Sequence, residues 1–264
     1  MKRLLILTAI LLLPLGAGAQ TAMEWGTRVS AEANYKIAKG VHLYAEEELR
    51  TSNATFDNVR TTLGFTYKPV KAVKMGVGYT LINARKQSTG EFKAPRHRLF
   101  ADLSGTLRAG YLQFTLKERF QVTHRTGSFN AYENTPNAMA LKSRLTVKYT
   151  YWRVTEPYLS FEVRTALNDP WGSVTGPAKW NSKGTKAYYD YTHMGYTHVY
   201  NNRYRGELGV NFELDKSHAL KPYVLLDYCT DYDLDINAEG NHLMSAAYTD
   251  VLCLSVGLNY VFSF

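Results

Sequence analysis

The sequence predicts an all-β protein, specifically an antiparallel transmembrane β-barrel of about 10–12 strands. Three observations predict this fold. Apolar and polar residues alternate with a period of two in many consecutive segments, and most of these segments exceed the usual globular strand of about 5–6 residues. An export signal precedes the first segment, and the last segment ends the chain on an aromatic residue, Phe264. A long one-sided strand suits a tilted membrane span better than a soluble sheet.

The chain starts with Lys2 and Arg3, an apolar run at 4–13, and then Pro14 and the small residues Ala17-Gly18-Ala19. This is the three-part layout of a secretory signal peptide, and its apolar run is too short to cross a bilayer of about 30 Å. We therefore expect a signal peptide at 1–19, cleaved before Gln20, and a single barrel domain at 20–264. No second apolar stretch of helical span length follows, which excludes a helical membrane protein.

Charge and composition argue against two further classes of protein, namely nucleic-acid-binding proteins and disordered chains. The formal net charge is +8, and it falls to +6 when Lys2 and Arg3 leave with the signal peptide. The chain has no run of five or six like charges, and an exported protein rarely meets nucleic acid, so we expect no nucleic-acid partner. A hydrophobic fraction of 45%, with 20 Tyr and 11 Phe, excludes a disordered chain.

The first strand illustrates the pattern. Trp25, Val29 and Tyr35 share one face with other apolar residues, whereas Arg28 and Glu32 lie on the opposite face, and the turn at 38–40 follows. Short turns join later segments into hairpins. The complete set of alternating segments is 25–37, 41–51, 57–68, 72–84, 96–108, 111–124, 139–151, 156–167, 201–214, 220–230 and 250–264.

This set contains eleven strands, whereas bacterial single-chain barrels have an even number. Either one strand is missing or two are merged, and the Tyr-rich stretch from Ala187 to Tyr200 is the candidate for a twelfth.

The final strand, 250–264, orients the predicted barrel. An alternating apolar strand that ends in Phe264 is typical of the signal that the outer-membrane barrel-assembly machinery recognises, which puts Phe264 at the periplasmic rim. The predicted short periplasmic connections are 38–40, 69–71, 109–110, 152–155 and 215–219. The predicted long external connections are 52–56, 85–95, 125–138, 168–200 and 231–249.

Eight short motifs follow one another along the strands of the chain. They are Trp25, Glu48-Leu49-Arg50, Gly64-Phe65-Thr66-Tyr67-Lys68, Gly78-Tyr79, Arg98-Leu99, Lys117-Glu118-Arg119-Phe120, Arg144-Leu145 and Asn202-Arg203. In their order and spacing these motifs resemble the DUF2490 family of Gram-negative outer-membrane proteins of unknown function, which is abundant in Bacteroidetes. The likeness covers nearly all of the mature chain, apart from a Tyr-rich insertion after Asp169. It implies a barrel fold and an outer-membrane location, and it brings no catalytic residues.

The polar face of the strands carries many opposed charges, which we expect to line the lumen. Three interpretations remain open: a packed ion-pair core, a narrow anion-preferring passage, or a site for a carboxylate or phosphate ligand. The predicted lumen residues are Arg28, Glu32, Glu46, Glu48, Arg50, Arg60, Arg98, Asp102, Lys117, Arg119, Arg144, Glu162, Arg164, Arg203, Arg205, Glu207, Glu213 and Asp227.

Two acidic residues, Glu47 and Glu118, fall on the apolar face, where a carboxylate at the bilayer midplane is costly. A β-bulge or a headgroup position explains them, and a contact with lipid or another protomer is the alternative.

The only cysteines, Cys229 and Cys253, lie 12 residues to either side of Asn241 on the inward face. A hairpin centred there would bring them directly opposite each other in an oxidising compartment, as a disulfide. The alternative is two reduced thiols in mismatched registers.

Catalytic and metal motifs are weak. His124 with Ser128 and Glu133, and His193 with His198, lack a nucleophile motif, so we expect no enzyme. Asp231, Asp233, Asp235 and Asn237 are spaced like a calcium loop, but Ile236 and His242 stand where that loop needs Gly and Glu. At most a weak surface cation site remains, and we expect no cofactor.

The 168–200 segment is rich in aromatic residues that could anchor the membrane interface or bind a ligand at the cell surface. We expect a non-catalytic scaffold or narrow solute channel in the outer membrane, with a surface-binding barrel and a lipid-modifying or proteolytic enzyme as alternatives. Its expected partners are outer-membrane lipid, lipopolysaccharide and the assembly machinery. The aromatic residues are Trp171, Trp180, Tyr188, Tyr189, Tyr191, Tyr196 and Tyr200.

Overall fold

The computed structural model describes residues 22–152, 154–180 and 187–264, all of them in strands, turns or irregular segments. The predicted signal peptide at 1–19 lies outside this range. No helix in the described part of the chain is long and apolar enough to cross a membrane. The strands are β1 (Ala22–Ala38), β2 (Val41–Ser52), β3 (Thr55–Val70), β4 (Val73–Ala84), β5 (Arg96–Ala109), β6 (Leu112–Arg125), β7 (Asn137–Tyr149), β8 (Thr155–Asp169), β9 (Gly172–Trp180), β10 (Ala187–His193), β11 (His198–Glu213), β12 (His218–Ile236) and β13 (His242–Ser263).

Eleven of these strands close into a barrel, in the order β1 to β8, β11, β12 and β13, and β13 pairs back onto β1. The predicted all-β barrel of about 10–12 strands is confirmed. The expectation of purely antiparallel pairing is wrong at one seam, where β1 and β13 run parallel. The expectation of an even strand number is also wrong, because the wall has eleven strands. A chain that alternates direction through eleven strands must close with two parallel neighbours.

The parallel seam runs from Ala22 opposite Val251 to Asn34 opposite Ser263. At its end the Phe264 amide donates a hydrogen bond to the Asn34 carbonyl, and the Lys36 amide donates to the Phe264 carbonyl, each at 3.0 Å. The last residue of the chain thus extends the seam by one more pair of hydrogen bonds. The parallel seam also places Ala22 and Phe264 at opposite rims of the barrel.

The stretch proposed as a twelfth strand, 187–200, contains β10, which lies outside the barrel wall, and the first residues of the wall strand β11. β8 pairs directly with β11 in the wall, while β9 and β10 form a separate hairpin in the connection between them. β10 joins the rest of the sheet only at the far end of β13, where Tyr189 lies opposite Leu243 and Asp190 opposite His242. The wall therefore keeps eleven strands.

The connections fall on the two rims as predicted, with the five short ones at the Phe264 rim, but two of the predicted long ones are short. The 52–56 connection is a tight turn whose central residues, Asn53 and Ala54, have φ of 48° and 63°. Positive φ at both central positions matches the twist of a two-residue hairpin. Most of 231–249 is also strand, because β12 and β13 extend to Ile236 and from His242. These two strands project beyond the barrel rim.

The distribution of polar and apolar side chains in the barrel is the reverse of that in a soluble globular protein. Its outer face exposes large apolar side chains, whereas the side chains buried inside include Arg28, Gln121, Glu162, Arg205 and Asp227. A soluble monomer rarely exposes a contiguous apolar patch larger than a few hundred Å². The outward apolar residues at mid-strand include Val29, Leu63, Val77, Leu99, Leu116, Leu145, Leu159, Leu208, Val224 and Val256.

Inside the barrel, four aromatic side chains each cover a glycine on the next strand. The directly opposed pairs are Tyr44 with Gly64, Phe100 with Gly78, Tyr158 with Gly209 and Tyr223 with Gly257. In each pair a Cβ on the glycine would collide with the aromatic ring. The rings lie flat along the wall because the glycines leave room, which frees the centre of the lumen for charged side chains.

Candidate functional site

The lumen holds a cavity of about 520 Å³ with a basic lining. The side chains that line it project from nearly every strand of the wall, since alternate residues of each strand point inward. Eleven Lys or Arg residues face four Glu residues there. The basic residues are Arg28, Arg50, Arg60, Arg98, Lys117, Arg119, Lys142, Arg144, Lys148, Arg205 and Lys221, and the acidic residues are Glu46, Glu48, Glu162 and Glu207.

Asp227 on β12 bridges two arginines from different strands. Its Oδ1 accepts a hydrogen bond from the Arg205 Nε at 2.6 Å, and its Oδ2 accepts one from the Arg28 Nη2 at 2.9 Å. All three side chains are buried. Because Arg28 lies on β1 and Arg205 on β11, this triad links three strands around the closing seam.

Glu162 on β8 is the second hub of the network. The Arg144 Nη2 lies 2.9 Å from its carboxylate, and the Arg205 Nη1 and the Lys142 Nζ lie at 3.8 and 3.9 Å. Arg205 thus contacts both Glu162 and Asp227. The Arg144 Nε donates a hydrogen bond to Oε2 of Glu162, whereas Oε1 is buried without a hydrogen-bond partner within the described residues.

Asp102 on β5 forms a third group with two cations of β6. It pairs with Arg119 at 2.6 Å and Lys117 at 2.9 Å, while the Arg119 guanidinium stacks 4.0 Å from the centre of the Phe100 ring. The planar guanidinium is suited to a bidentate carboxylate contact and an aromatic face at the same time.

The remaining acidic side chains are engaged more locally. Glu48 pairs with Arg50 at 2.7 Å, and Glu207 accepts a hydrogen bond from the Tyr158 hydroxyl at 2.9 Å. Glu32 accepts a hydrogen bond from Asn34 at 2.7 Å and lies opposite Glu46 on β2. Glu213 lies at the exposed end of β11, at the rim.

Sequence reasoning missed four charged side chains of the lumen: Lys142, Lys148, Glu156 and Lys221. Lys148 pairs with Glu156 at 2.9 Å, and Lys142 approaches Glu162. Lys142 and Lys148 lie at even spacings from Arg144 on β7 and therefore share its inward face. The period-two pattern alone was sufficient to find them.

Neither of the two acidic residues on the outer face lies at a β-bulge. The pairing of β2 with both neighbours runs unbroken through Glu47, which is exposed opposite Ala31 and Thr61. Glu118 accepts a hydrogen bond at 2.6 Å from the Ser143 hydroxyl on the adjacent strand. A neutral hydroxyl thus satisfies one of the two outward carboxylates.

The cysteines do not face each other as the hairpin centred on Asn241 predicted. Cys229 lies opposite Val251 and Cys253 lies opposite Asp227, so the two are one inward position out of register. Both thiols are free in the structure. The pairing of β12 with β13 is centred on Gly240 rather than on Asn241, which displaces the two cysteines from the symmetric arrangement.

The histidine groupings considered for catalysis are not assembled as sets. His124 lies 2.8 Å from the Asn137 side-chain oxygen, and Glu133 accepts a hydrogen bond from the Ile236 amide at 3.0 Å. His193 packs edge-on against Tyr132, and His198 packs against Trp171. His124, Glu133, His193 and His198 thus each have a packing or hydrogen-bonding partner outside the predicted sets, and Glu133 and His193 belong to the cap described next.

Above the long-loop rim, three segments form a cap, defined here as the β6–β7 connection at 126–136, the β9–β10 hairpin, and the β12–β13 tip at 236–242. Its core is Tyr191, Ile236 and Leu243, with Tyr132 packed against them. Asn130 donates a hydrogen bond to the Ile236 carbonyl at 2.7 Å, and Tyr196 donates to the Ala131 carbonyl at 2.9 Å. The cap thus ties strands on different sides of the barrel.

Aromatic residues of the 168–200 segment divide between this cap core and its surface. Tyr191 is buried, whereas Trp180 and Tyr189 are exposed. Burial raises the pKa of the Tyr191 hydroxyl above its ordinary value. On the hairpin surface a hydrogen bond to Asp190 raises the pKa of the Lys179 amine.

The acidic segment spaced like a calcium loop is a strand. Asp231, Asp233 and Asp235 lie along β12 on one face, and Asp233 accepts a hydrogen bond from Thr249 at 2.6 Å. No group of three or more His, Cys, Asp or Glu residues able to hold a metal ion occurs within the described ranges. Alternate residues of a strand are about 7 Å apart, so these three carboxylates are too far from one another to coordinate one ion.

The fold and the lumen define the chain as a closed β-barrel with a charged interior and an apolar outer face. The family model described as "Protein of unknown function (DUF2490)" matches residues 25–227, and the chain belongs to this family. The match spans β1 to the middle of β12 and confirms the resemblance seen in the sequence. No curated protein matches the chain.

Proposed function

We propose that this protein is an integral barrel of the bacterial outer membrane that forms a narrow, anion-preferring solute passage. The observation that carries the proposal is the inverted distribution of polarity, with an apolar outer face around a lumen whose cavity is lined by eleven basic and four acidic residues. A lipid-facing surface with a polar interior is typical of transmembrane barrels.

Outward aromatic residues at the short-turn rim support membrane placement. Tyr35 packs against Phe264 with ring centres 5.5 Å apart, and Tyr111 packs against Tyr151 at 4.8 Å. Tyr149 and Trp152 extend this group. Aromatic side chains favour the membrane–water interface because one end is apolar and the other can hydrogen-bond.

The opposite rim also carries exposed aromatic residues, among them Trp25, Phe92, Trp171 and Tyr248. Two aromatic girdles with an aliphatic band between them match the outer surface of outer-membrane barrels. Lipid and lipopolysaccharide would contact this surface. The alternating strand β13, which ends beside Phe264, is the segment proposed to engage the assembly machinery.

The arrangement of lumen charges favours a narrow passage rather than an open pore. The hubs at Asp227, Glu162 and Asp102 hold side chains in the lumen, and the cavity between them stays basic. Rings of Arg and Lys make a pore favour anions. The proposed passage needs no catalytic group.

A planar-bilayer recording tests the passage. With the purified barrel in a potassium chloride gradient, we expect a small conductance whose reversal potential indicates chloride preference. Lys221→Gln, which removes a lining cation, should reduce this preference, while Lys216→Gln in the exposed 214–217 turn should not. Absence of conductance at every voltage would overturn the passage and leave a scaffold role.

The location is tested separately by membrane fractionation. We expect the mature protein to sediment with the outer membrane and to resist extraction by alkaline carbonate. Recovery in the soluble periplasmic fraction would contradict the proposed location.

A second candidate function is ligand binding at the cap. The β9–β10 hairpin exposes Trp180, Tyr189 and Val174. Deletion of this hairpin, 172–193, would abolish binding of a surface ligand but leave conductance in place, which separates the two functions.

A further inference from the structure

The ion pairs of the lumen leave four of the predicted lumen arginines without a carboxylate partner. Within the described residues, Arg60, Arg98, Arg164 and Arg203 have no carboxylate oxygen within 4.0 Å, and we call them the arginine tier. Two of them contact only neutral groups through Nε, namely Asn58 at 2.8 Å and Thr123 at 3.0 Å. Their charge is therefore not neutralised by direct pairing.

The register places like charges side by side. Arg164 lies directly opposite Lys142 on one neighbouring strand and Arg203 on the other, which makes a row of three cations across β7, β8 and β11. Directly opposed like charges destabilise a sheet. The nearest acidic groups with an electrostatic effect on Arg164 are Asp231 and Asp169, and neither makes an ion pair with it.

The four arginines also repel one another electrostatically. Arg98 lies within electrostatic range of Arg164 and Arg203, and Arg60 lies within range of Arg98. Arg60 and Arg98 line the 520 Å³ cavity. Arg60 and Arg98 thus bring donors from β3 and β5 to this cavity, and Arg98 is coupled electrostatically to Arg164 and Arg203 on β8 and β11.

Unused hydrogen-bond donors mark the same region. The Nε atoms of Arg203 and of Arg50 are buried and have no acceptor in the described part of the chain. A buried guanidinium donor without a partner is costly, and an oxyanion would satisfy it.

We propose that the arginine tier binds a small oxyanion carrying two or more negative charges, such as a phosphorylated or polycarboxylate solute. Such a ligand would neutralise the row at Arg164 and Arg203 and accept hydrogen bonds from several guanidinium groups at once. This site would be a binding step within the proposed passage. It rests on the proposed function, because the passage is the route by which the anion reaches the site.

Calorimetric titration of the purified barrel in detergent tests the site without a membrane. Pyrophosphate and citrate are the probes, and sodium chloride at matched ionic strength is the reference. We expect one or both probes to bind, and the Arg98→Gln/Arg203→Gln variant to bind at least about tenfold more weakly, because two charge-assisted hydrogen bonds are lost. Arg108→Gln, at the exposed end of β5, is the matched control and should bind as the wild type does.

Thermal unfolding gives a second readout that does not depend on a variant folding well. Either bound probe should raise the unfolding temperature of the wild-type barrel beyond the effect of matched chloride. Without ligand, the double variant should unfold at the same or a higher temperature than the wild type, because repulsion is relieved. No binding heat and no added stabilisation from either probe would overturn the site, and so would equal binding by the double variant. A barrel that binds the anion but does not conduct would overturn the passage alone.

Discussion

Arg205 and Asp227 face each other from neighbouring strands inside the barrel, with 2.6 Å between the Nε and Oδ1 atoms. Only 6% and 3% of the two residues are exposed. Arg28 adds a second guanidinium to the same carboxylate from across the closing strand β13. One acidic side chain therefore stabilises two buried cations at the point where the barrel closes.

Replacing Asp227 by Asn should destabilise the barrel strongly. The substitution leaves Arg28 and Arg205 without their shared carboxylate, and breaking a buried ion pair costs about 3–5 kcal/mol. The free energy of unfolding in urea, measured on the refolded protein in detergent or lipid, reports this loss. Glu213→Gln, at the exposed end of β11, is the control and should change stability little. Equal urea midpoints for Asp227→Asn and wild type would contradict a structural role for the triad.

The glycine beneath Tyr223 should be intolerant of a side chain. In Gly257→Val the new side chain collides with the ring of Tyr223, which must leave the wall and move into the lumen. Overpacking of this kind costs about 1–3 kcal/mol. Gly105→Ala on β5 is the matched control, because a Cβ there meets nothing within 4 Å. Urea unfolding compares the two, and an unchanged stability of Gly257→Val would show that the ring moves freely.

The odd strand number predicts that the two ends of the barrel wall lie on opposite sides of the membrane. In a Cys229→Ser/Cys253→Ser background, a membrane-impermeant maleimide should label Ala22→Cys and Ser88→Cys on intact cells. Lys71→Cys, in the short turn at the Phe264 rim, should label only after permeabilisation. Protection of Ala22→Cys together with labelling of Ser88→Cys would contradict the parallel seam.

The cap should loosen when its central aromatic residue is removed. Tyr132 lies against Gly240 and His193, so Tyr132→Ala takes away the contact between the β6–β7 connection and the β12–β13 tip. We expect faster proteolysis within 237–241 on intact cells, with the cleavage site read by mass spectrometry. Ser128→Ala, in the same connection but exposed, should leave the rate unchanged. The same slow cleavage in both variants would show that the tip is held by other contacts.

Most strands of the wall were predictable, because the alternation of apolar and polar residues within each strand shows which of its faces is apolar. The eleven alternating segments coincide with β1–β8, β11, β12 and β13, and the same period extends the lumen set to Lys142. The aromatic–glycine pairs were not predictable, because Gly64 and Tyr44 become neighbours only when register is fixed. The register between β12 and β13 likewise decided that the cysteines do not face each other, since Cys229 lies opposite Val251, two residues before Cys253.

The sequence by itself determined the strand positions and the inward direction of the charges, because alternation is a local property of a strand. Only the tertiary structure decided that β13 closes onto β1 in parallel, that β9 and β10 stay outside the wall, and that Asp227 serves both Arg28 and Arg205. These outcomes depend on which strands become neighbours and in which register. Pairing of that kind is set by closure of the whole barrel, and no single segment encodes it.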